Sequence, residues 1–253
     1  MLKLEQKEFK GFIKDLKDRK SKFIIDTKRT VSSIIMGGKF FALSRNKNHI
    51  GKDEKKTEII SLFAQVAKSV TSHIEKNNFT VERIPQRHPS SDTNRLKYAK
   101  MKIGAEFWYV DVSHCYWRIA FLRKYITPKL YENVLKKPEL KIYRNMALAC
   151  IVAPRKRQYF DDGEMILEIT EERGLWKMIY DNIRFTSYNL MGDISKQVEK
   201  NFIAYRTDGI MVTKPALPKV KKMLTDAGFA YTVTRCIKID DGHYYYGKKV
   251  KKI

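Results

Sequence analysis

Apolar and polar positions along this chain change period from segment to segment, and those changes predict its elements. "EFWYVDV", residues 106–112, is a short apolar run that reads as a strand, and "SHCYWRIAFLRKY" after it reads as a helix. "TEIISLFAQVAKSVTSHIEKN" groups Ile59, Ile60, Phe63, Val66, Ala67 and Val70 on one side at helical spacing. "VSSIIMGGKFFALSR" places Gly37-Gly38 between two apolar runs, as a hairpin or a strand-turn pair would. "TPKLYENVLKK" predicts a helix with Pro128 in its first turn. "PELKIYRNMALACIV" is a further helical segment, and "RKRQYFDDGEMILEI" is a hairpin turning at Asp161-Asp162-Gly163. "EERGLWKMIYDNIRFTSYNLMGDISKQVEK" is mainly helix, with an interruption expected near Gly192. "NFIAYRTDGIMVTK" is a second acid-bearing apolar element, "ALPKVKKMLTDAGF" an amphipathic helix, and "AYTVTRCIKI" and "HYYYGKKV" closing strands joined by a DDG turn. The first thirty residues show only spaced apolars, with Phe12 on a helix or a strand edge, and "KNHIGKDEKK" is a polar turn.

Strands and helices in this order give an α+β pattern with antiparallel pairs rather than regular βαβ units. "VERIPQRHPSSDTNRLKYAK", rich in proline, serine and charge, marks the best internal boundary. It divides a basic, mixed or helical N-terminal module, residues 1–95, from a second part, residues 96–253.

Charge narrows the partners. Lysine and arginine number 51 against 28 acids, a net +23. That excess favours salt-sensitive attraction to a polyanion, nucleic acid first, with an acidic membrane surface or an acidic protein as alternatives. Cys115, Cys150 and Cys236 are far apart and odd in number, which gives neither a disulfide framework nor zinc spacing and fits a reducing compartment. The histidines are scattered too. No secretory leader and no membrane span is read from the pattern, and no GxGxxG or GxxxxGK[ST] fingerprint occurs.

Two acids stand out. Asp111 ends the strand at 106–112, and Asp208 lies in "YRTDGI", where Gly209 predicts a tight turn between two strands. If those elements pair, the carboxylates converge. Paired carboxylates suit Mg²⁺, which takes oxygen ligands and, in a two-metal site, activates a hydroxyl and neutralises a leaving pyrophosphate. The competing reading is structural: Asp111 as a helix cap, Asp208 as a turn residue.

"DVSHCYW" and "YRTDGI" together resemble the first and last catalytic motifs of the family B DNA polymerases, in the family's order. Asp111 and Asp208 fall on the metal-binding aspartates, Thr207 on the threonine of the last motif, and Tyr116 on the tyrosine of the first. His114 stands at a serine, Trp117 at a proline, Arg206 at the less essential aspartate and Gly209 at a serine. The resemblance covers roughly residues 100–250. It implies a polymerase-like palm with an antiparallel sheet, reduced fingers, Mg²⁺ or Mn²⁺ on Asp111 and Asp208, and dNTP substrates, with Tyr116 filling the space of a ribose 2′-hydroxyl.

The third motif of that family is weaker here. "KIYRNMALA" supplies Lys141 and Asn145 for the incoming nucleotide, with Arg144 as a substitute, and the "RKR" at 155–157 puts Lys156 on a template phosphate or in water. "KIDDGHYYYGKK" resembles the region that supports the primer terminus, with Lys238 as the match and one face of Tyr244, Tyr245 and Tyr246, represented by Tyr245, stacking on nucleic acid. The expected partners are primer-template DNA and replication or repair proteins, in the cytoplasm, the nucleoid or a host replication compartment; viral or plasmid origin suits the reduction. The alternative is a catalytically inactive, palm-derived nucleic-acid-binding or assembly subunit. A reverse transcriptase fits less well, since its later turn prefers an Asp-Asp pair.

Overall fold

A computed structural model describes residues 2–28, 31–45, 56–77, 80–152, 155–171 and 174–253. The chain begins with β1 (Leu2–Leu4), α1 (Gln6–Asp18), β2 (Phe23–Lys28), β3 (Val31–Met36), β4 (Lys39–Arg45) and α2 (Lys56–Lys76). It continues with β5 (Ser91–Thr93), α3 (Arg95–Lys100), β6 (Glu106–Val112), α4 (Cys115–Leu122), α5 (Pro128–Leu135) and α6 (Lys141–Cys150). Then come β7 (Arg155–Asp161), β8 (Glu164–Glu171), α7 (Gly174–Gln197), β9 (Phe202–Arg206) and β10 (Gly209–Val212). It ends with α8 (Leu217–Asp226), β11 (Tyr231–Lys238), β12 (His243–Tyr246) and β13 (Lys249–Lys252). The α+β expectation holds, with antiparallel sheets apart from a parallel β1–β4 pair. No helix among the described residues is long and apolar enough to cross a membrane.

The chain divides into two units, residues 1–68 with 142–177, and residues 69–141 with 178–253. The division differs from the expected boundary at 95/96 in a physically instructive way. The first unit holds a six-stranded sheet in the order β1-β4-β3-β2-β7-β8. Its last two strands come from the 155–171 hairpin, which lies well beyond that expected boundary. β7 pairs with β2, placing Ile25 opposite Gln158, and Phe23 stacks on Phe160 with centroids 4.5 Å apart. Residues 1–95 contribute four strands of that sheet together with the helices α1 and α2. Phe9 and Leu16 of α1 bury against Phe23, Ile25, Ile34 and Phe160. Both hairpins turn as their sequences predict: Gly37-Gly38 and Asp162-Gly163 all have positive φ, the requirement of a two-residue turn between twisted strands.

The second unit is built on a seven-stranded antiparallel sheet, β13-β12-β11-β6-β10-β9-β5. Side chains on β6 alternate in direction. Val110 and Val112 are buried on one side, and Phe107 on the other packs with Tyr98, Met211, Cys236 and Tyr244. In α2 the buried residues are Leu62, Val66, Val70 and Ile74, a stripe at i+4; the side chains of Ile59 and Ile60 lie outside the described residues, as does the expected polar turn from residue 47 to 55.

Two expectations need correction. Gly192 does not interrupt α7. A Cβ there would come within 2.1 Å of the His88 ring, so glycine leaves room for a close contact inside a continuous helix. The proline-rich stretch is not a free boundary either. Asn182 on α7 accepts from the Ile84 amide at 2.8 Å and donates to the Glu82 carbonyl at 2.8 Å. Asn189 does the same for Arg87 and Pro85, at 2.8 and 2.9 Å. Each amide side chain imitates a strand edge and satisfies backbone groups that proline and irregular conformation leave unpaired.

Candidate active site

β6 lies between β10 and β11, and Asp111 at its end pairs in register with Gly209 and Thr232. The β9–β10 turn comes beside it. Thr207 adopts φ +42°, the Asp208 carbonyl accepts from the Val112 amide at 2.9 Å, and the Ser187 hydroxyl donates to the Thr207 carbonyl at 2.7 Å. The turn is thus stitched to β6 on one side and to α7 on the other. Asp111 does not cap the following helix: the N-cap position of α4 is His114, in a left-handed conformation.

The two carboxyls feel each other. Burial, and then the negative charge of Asp111, push Asp208 up to about 6. Burial raises Asp111 as well, opposed by the hydrogen bond from Tyr109 and by the charges of Lys141 and Lys251. Two half-buried acids that resist simultaneous ionisation form a place where a cation relieves repulsion. Among the described residues no group of three or more His, Cys, Asp or Glu gathers as a metal cage. A cation there would have these two carboxylates as its protein ligands, with other coordination positions left to other oxygens.

Tyr109 lies two residues before Asp111 on the same face of β6, and its hydroxyl donates to Asp111 Oδ1 at 3.3 Å. Its ring crosses directly over Gly209: a Cβ there would sit 2.2 Å from the hydroxyl. The glycine in "YRTDG" is the partner of this tyrosine. Burial lifts Tyr109 well above the ordinary tyrosine range, so it is a neutral donor. Cys115 behind the site is no nucleophile, since burial raises its thiol to about 12.

Tyr116 on α4 reaches α7. Its hydroxyl donates to the Tyr188 oxygen at 3.3 Å, and Arg184 Nε donates to the same oxygen at 3.2 Å. Asp208 is close enough to contribute to the upward shift of Tyr116. Lys141, exposed at the start of α6, acts on both carboxyls through its charge. Asp111, Asp208, Tyr116 and Lys141 are therefore brought together within the second unit.

Other expected site residues are placed elsewhere. Lys238 is 2% exposed; its ammonium donates to the carbonyls of Tyr98, Ala99 and Met101 at 2.8, 3.0 and 2.8 Å and to Asp241 at 2.7 Å. A lysine so saturated ties α3 to β11 and has no hydrogen left for a primer phosphate. Tyr245 is 45% exposed and Tyr244 buried, the expected alternation. It is Tyr246, however, that meets Tyr109, at 5.6 Å, and so shares the face of Asp111, leaving Tyr245 on the opposite face. Asn145 and Lys156 belong to the first unit. Asn145 is exposed on α6, and Lys156 on β7 pairs with Glu168 at 2.8 Å. Arg144 is buried, and the Arg155 side chain lies outside the described residues. Arg206 donates to the Lys252 carbonyl at 2.9 Å.

Sequence reasoning missed Tyr109, Ser187, Tyr188, Arg184 and Lys251. The period of two that pairs Tyr109 with Asp111 was available. Lys251, whose ammonium lies 3.6 Å from the Tyr246 ring centroid and 5.8 Å from that of Tyr109, becomes a neighbour only when β13 folds back on β12. Nothing local in α7 marks Ser187 or Arg184. No family model, no curated protein and no solved structure matches this chain.

Proposed function

We propose that this protein is a template-directed DNA nucleotidyltransferase that adds dNTPs to a DNA 3′ end. The observation that carries this reading is the convergence of Asp111 and Asp208 at paired strand ends, with Asp208 raised by burial and by its neighbour's charge. Mg²⁺ or Mn²⁺ would be held by both carboxylates together with the phosphate oxygens of the nucleotide. The primer 3′-oxygen then attacks the α-phosphorus. The bond to the bridging oxygen breaks, pyrophosphate leaves with the electron pair, and the hydroxyl proton passes to water. Tyr116 underlies the sugar, and Lys141 offers its charge to the triphosphate. Lys251 and Tyr246, on the face of Asp111, supply a cation and an aromatic surface for the primer strand. The resemblance to family B motifs supports the same reading, with a palm-like role for the seven-stranded sheet.

Purified protein with primer-template, dNTPs and Mg²⁺ is expected to extend the primer, and Asp111→Ala and Asp208→Ala to abolish extension while remaining folded. Extension by both folded variants rejects the metal assignment. A noncatalytic, palm-derived nucleic-acid-binding subunit is the second reading, favoured by Arg206, a cation at the position of an aspartate in the family's last motif. It is supported if DNA binds and no template, metal or nucleotide gives extension. RNA templates in the same assay test the reverse-transcriptase variant.

A further inference from the structure

The Tyr116 ring does not stand alone. Its hydroxyl proton is committed to the Tyr188 oxygen, and Arg184 Nε donates to that same oxygen, so both lone pairs of Tyr188 are used. Arg184 is itself fixed. Its Nη1 reaches Asp181 Oδ1 at 3.3 Å, and its guanidinium lies 5.8 and 5.7 Å from the Tyr180 and Tyr188 rings. Asp181, Arg184 and Tyr188 follow one another at helical spacing on one side of α7. That helix is also bonded to the Asp208 turn through Ser187, whose hydroxyl lies 3.2 Å from Cys115 Sγ on α4. One helix thus sets the position of the tyrosine and of the acid-bearing turn together.

We propose that Arg184 is a positioning residue for sugar discrimination, acting through Tyr188 to hold Tyr116 in place; this rests on the nucleotidyltransferase reading above. A ring that excludes a 2′-hydroxyl by filling its space works only if it cannot swing aside. With its proton committed, the phenol also presents only lone pairs to a ligand. Removing the guanidinium frees one lone pair of Tyr188, and both hydroxyls can then reorient. Sugar preference weakens while the metal-binding acids stay where they are.

The test measures primer extension with dNTPs and with NTPs, alongside Tm, for the wild type, Arg184→Met, Arg184→Lys, Tyr188→Phe and the Arg184→Met/Tyr188→Phe pair. Each of Arg184→Met and Tyr188→Phe is expected to lower the dNTP:NTP ratio about three- to tenfold, the range of one hydrogen bond. The double variant is expected to lose no more than the larger single effect, and Arg184→Lys to recover part of the ratio. An unchanged ratio in both single variants overturns the proposal. So does an equal rise in KM for both sugars, which would make Arg184 a triphosphate contact, or an equal loss of both activities with a fallen Tm, which would make it a structural prop. A wild type that extends with neither nucleotide overturns the nucleotidyltransferase reading and this proposal with it; extension with an unchanged ratio overturns this proposal alone.

Discussion

At the scale of single residues, the burial of Asp208 beside Asp111 makes stability depend on pH. Its folded-state pKa is raised to about 6, so the folded protein binds this proton more tightly than the unfolded chain. That contribution is fully present below the unfolded carboxylate value of about 4 and is lost as pH rises through about 6. Metal-free protein is expected to lose Tm across that window, and Asp208→Asn to stay flatter. At pH 7.5 in chelator, Asp208→Asn is expected to melt higher than the wild type on the order of 2–4 °C, the shift that about 1 kcal/mol gives at this size. Added Mg²⁺ should raise the Tm of the wild type and not that of the variant. Scanning calorimetry with and without chelator checks both, and an Asp208→Asn variant no more stable than the wild type counts against a strained acid pair. Gly209 gives a second residue-scale expectation. Gly209→Ala collides with Tyr109 and should cost about 1–3 kcal/mol, the usual range for overpacking. Tyr109→Ala in the same chain should return part of that loss in denaturant melts.

At the scale of elements, α7 organises the second unit. It carries the asparagines that hold residues 82–87, the serine that holds the Asp208 turn and the tyrosine that meets Tyr116. Asn182→Ala leaves a backbone amide and a backbone carbonyl without their side-chain partner and should cost about 1–3 kcal/mol. Limited proteolysis is the direct check: cleavage between residues 80 and 93 should become faster in Asn182→Ala and Asn189→Ala, and unchanged cleavage would show that the segment is held by other contacts. Lys238 does the same kind of work between α3 and β11.

At the scale of the whole molecule, a net +23 predicts backbone-dominated binding. The logarithm of the affinity for primer-template should fall linearly with the logarithm of salt, and binding should survive Asp111→Ala. Lys251→Ala is expected to weaken binding and reduce that slope by about one. Lys238→Met should lower Tm instead, because its ammonium is consumed by carbonyls. Fluorescence anisotropy across a salt series separates the two, and a salt-insensitive affinity rejects this mode of binding.

Period and turn chemistry in the sequence were enough for most elements: the strand at 106–112, the hairpin at Asp161-Asp162-Gly163, the Pro128 helix, the amphipathic helix at 217–226 and the closing strands. These are local signals, written in neighbouring side chains and in residues that tolerate positive φ. The two acids were also legible, because a lone aspartate ending an apolar run and a second in a Thr-Asp-Gly turn are local anomalies. Which strands lie side by side was not legible. The same alternation in β7 fits either sheet, and only the pairing with β2 assigned it to the first unit. Nor could the sequence distinguish an exposed lysine lying over a tyrosine ring from one buried under three carbonyls, since Lys251 and Lys238 look alike in one dimension. The tertiary structure decided these because register and burial depend on residues far apart in the chain, and a side chain's role follows from what surrounds it in space.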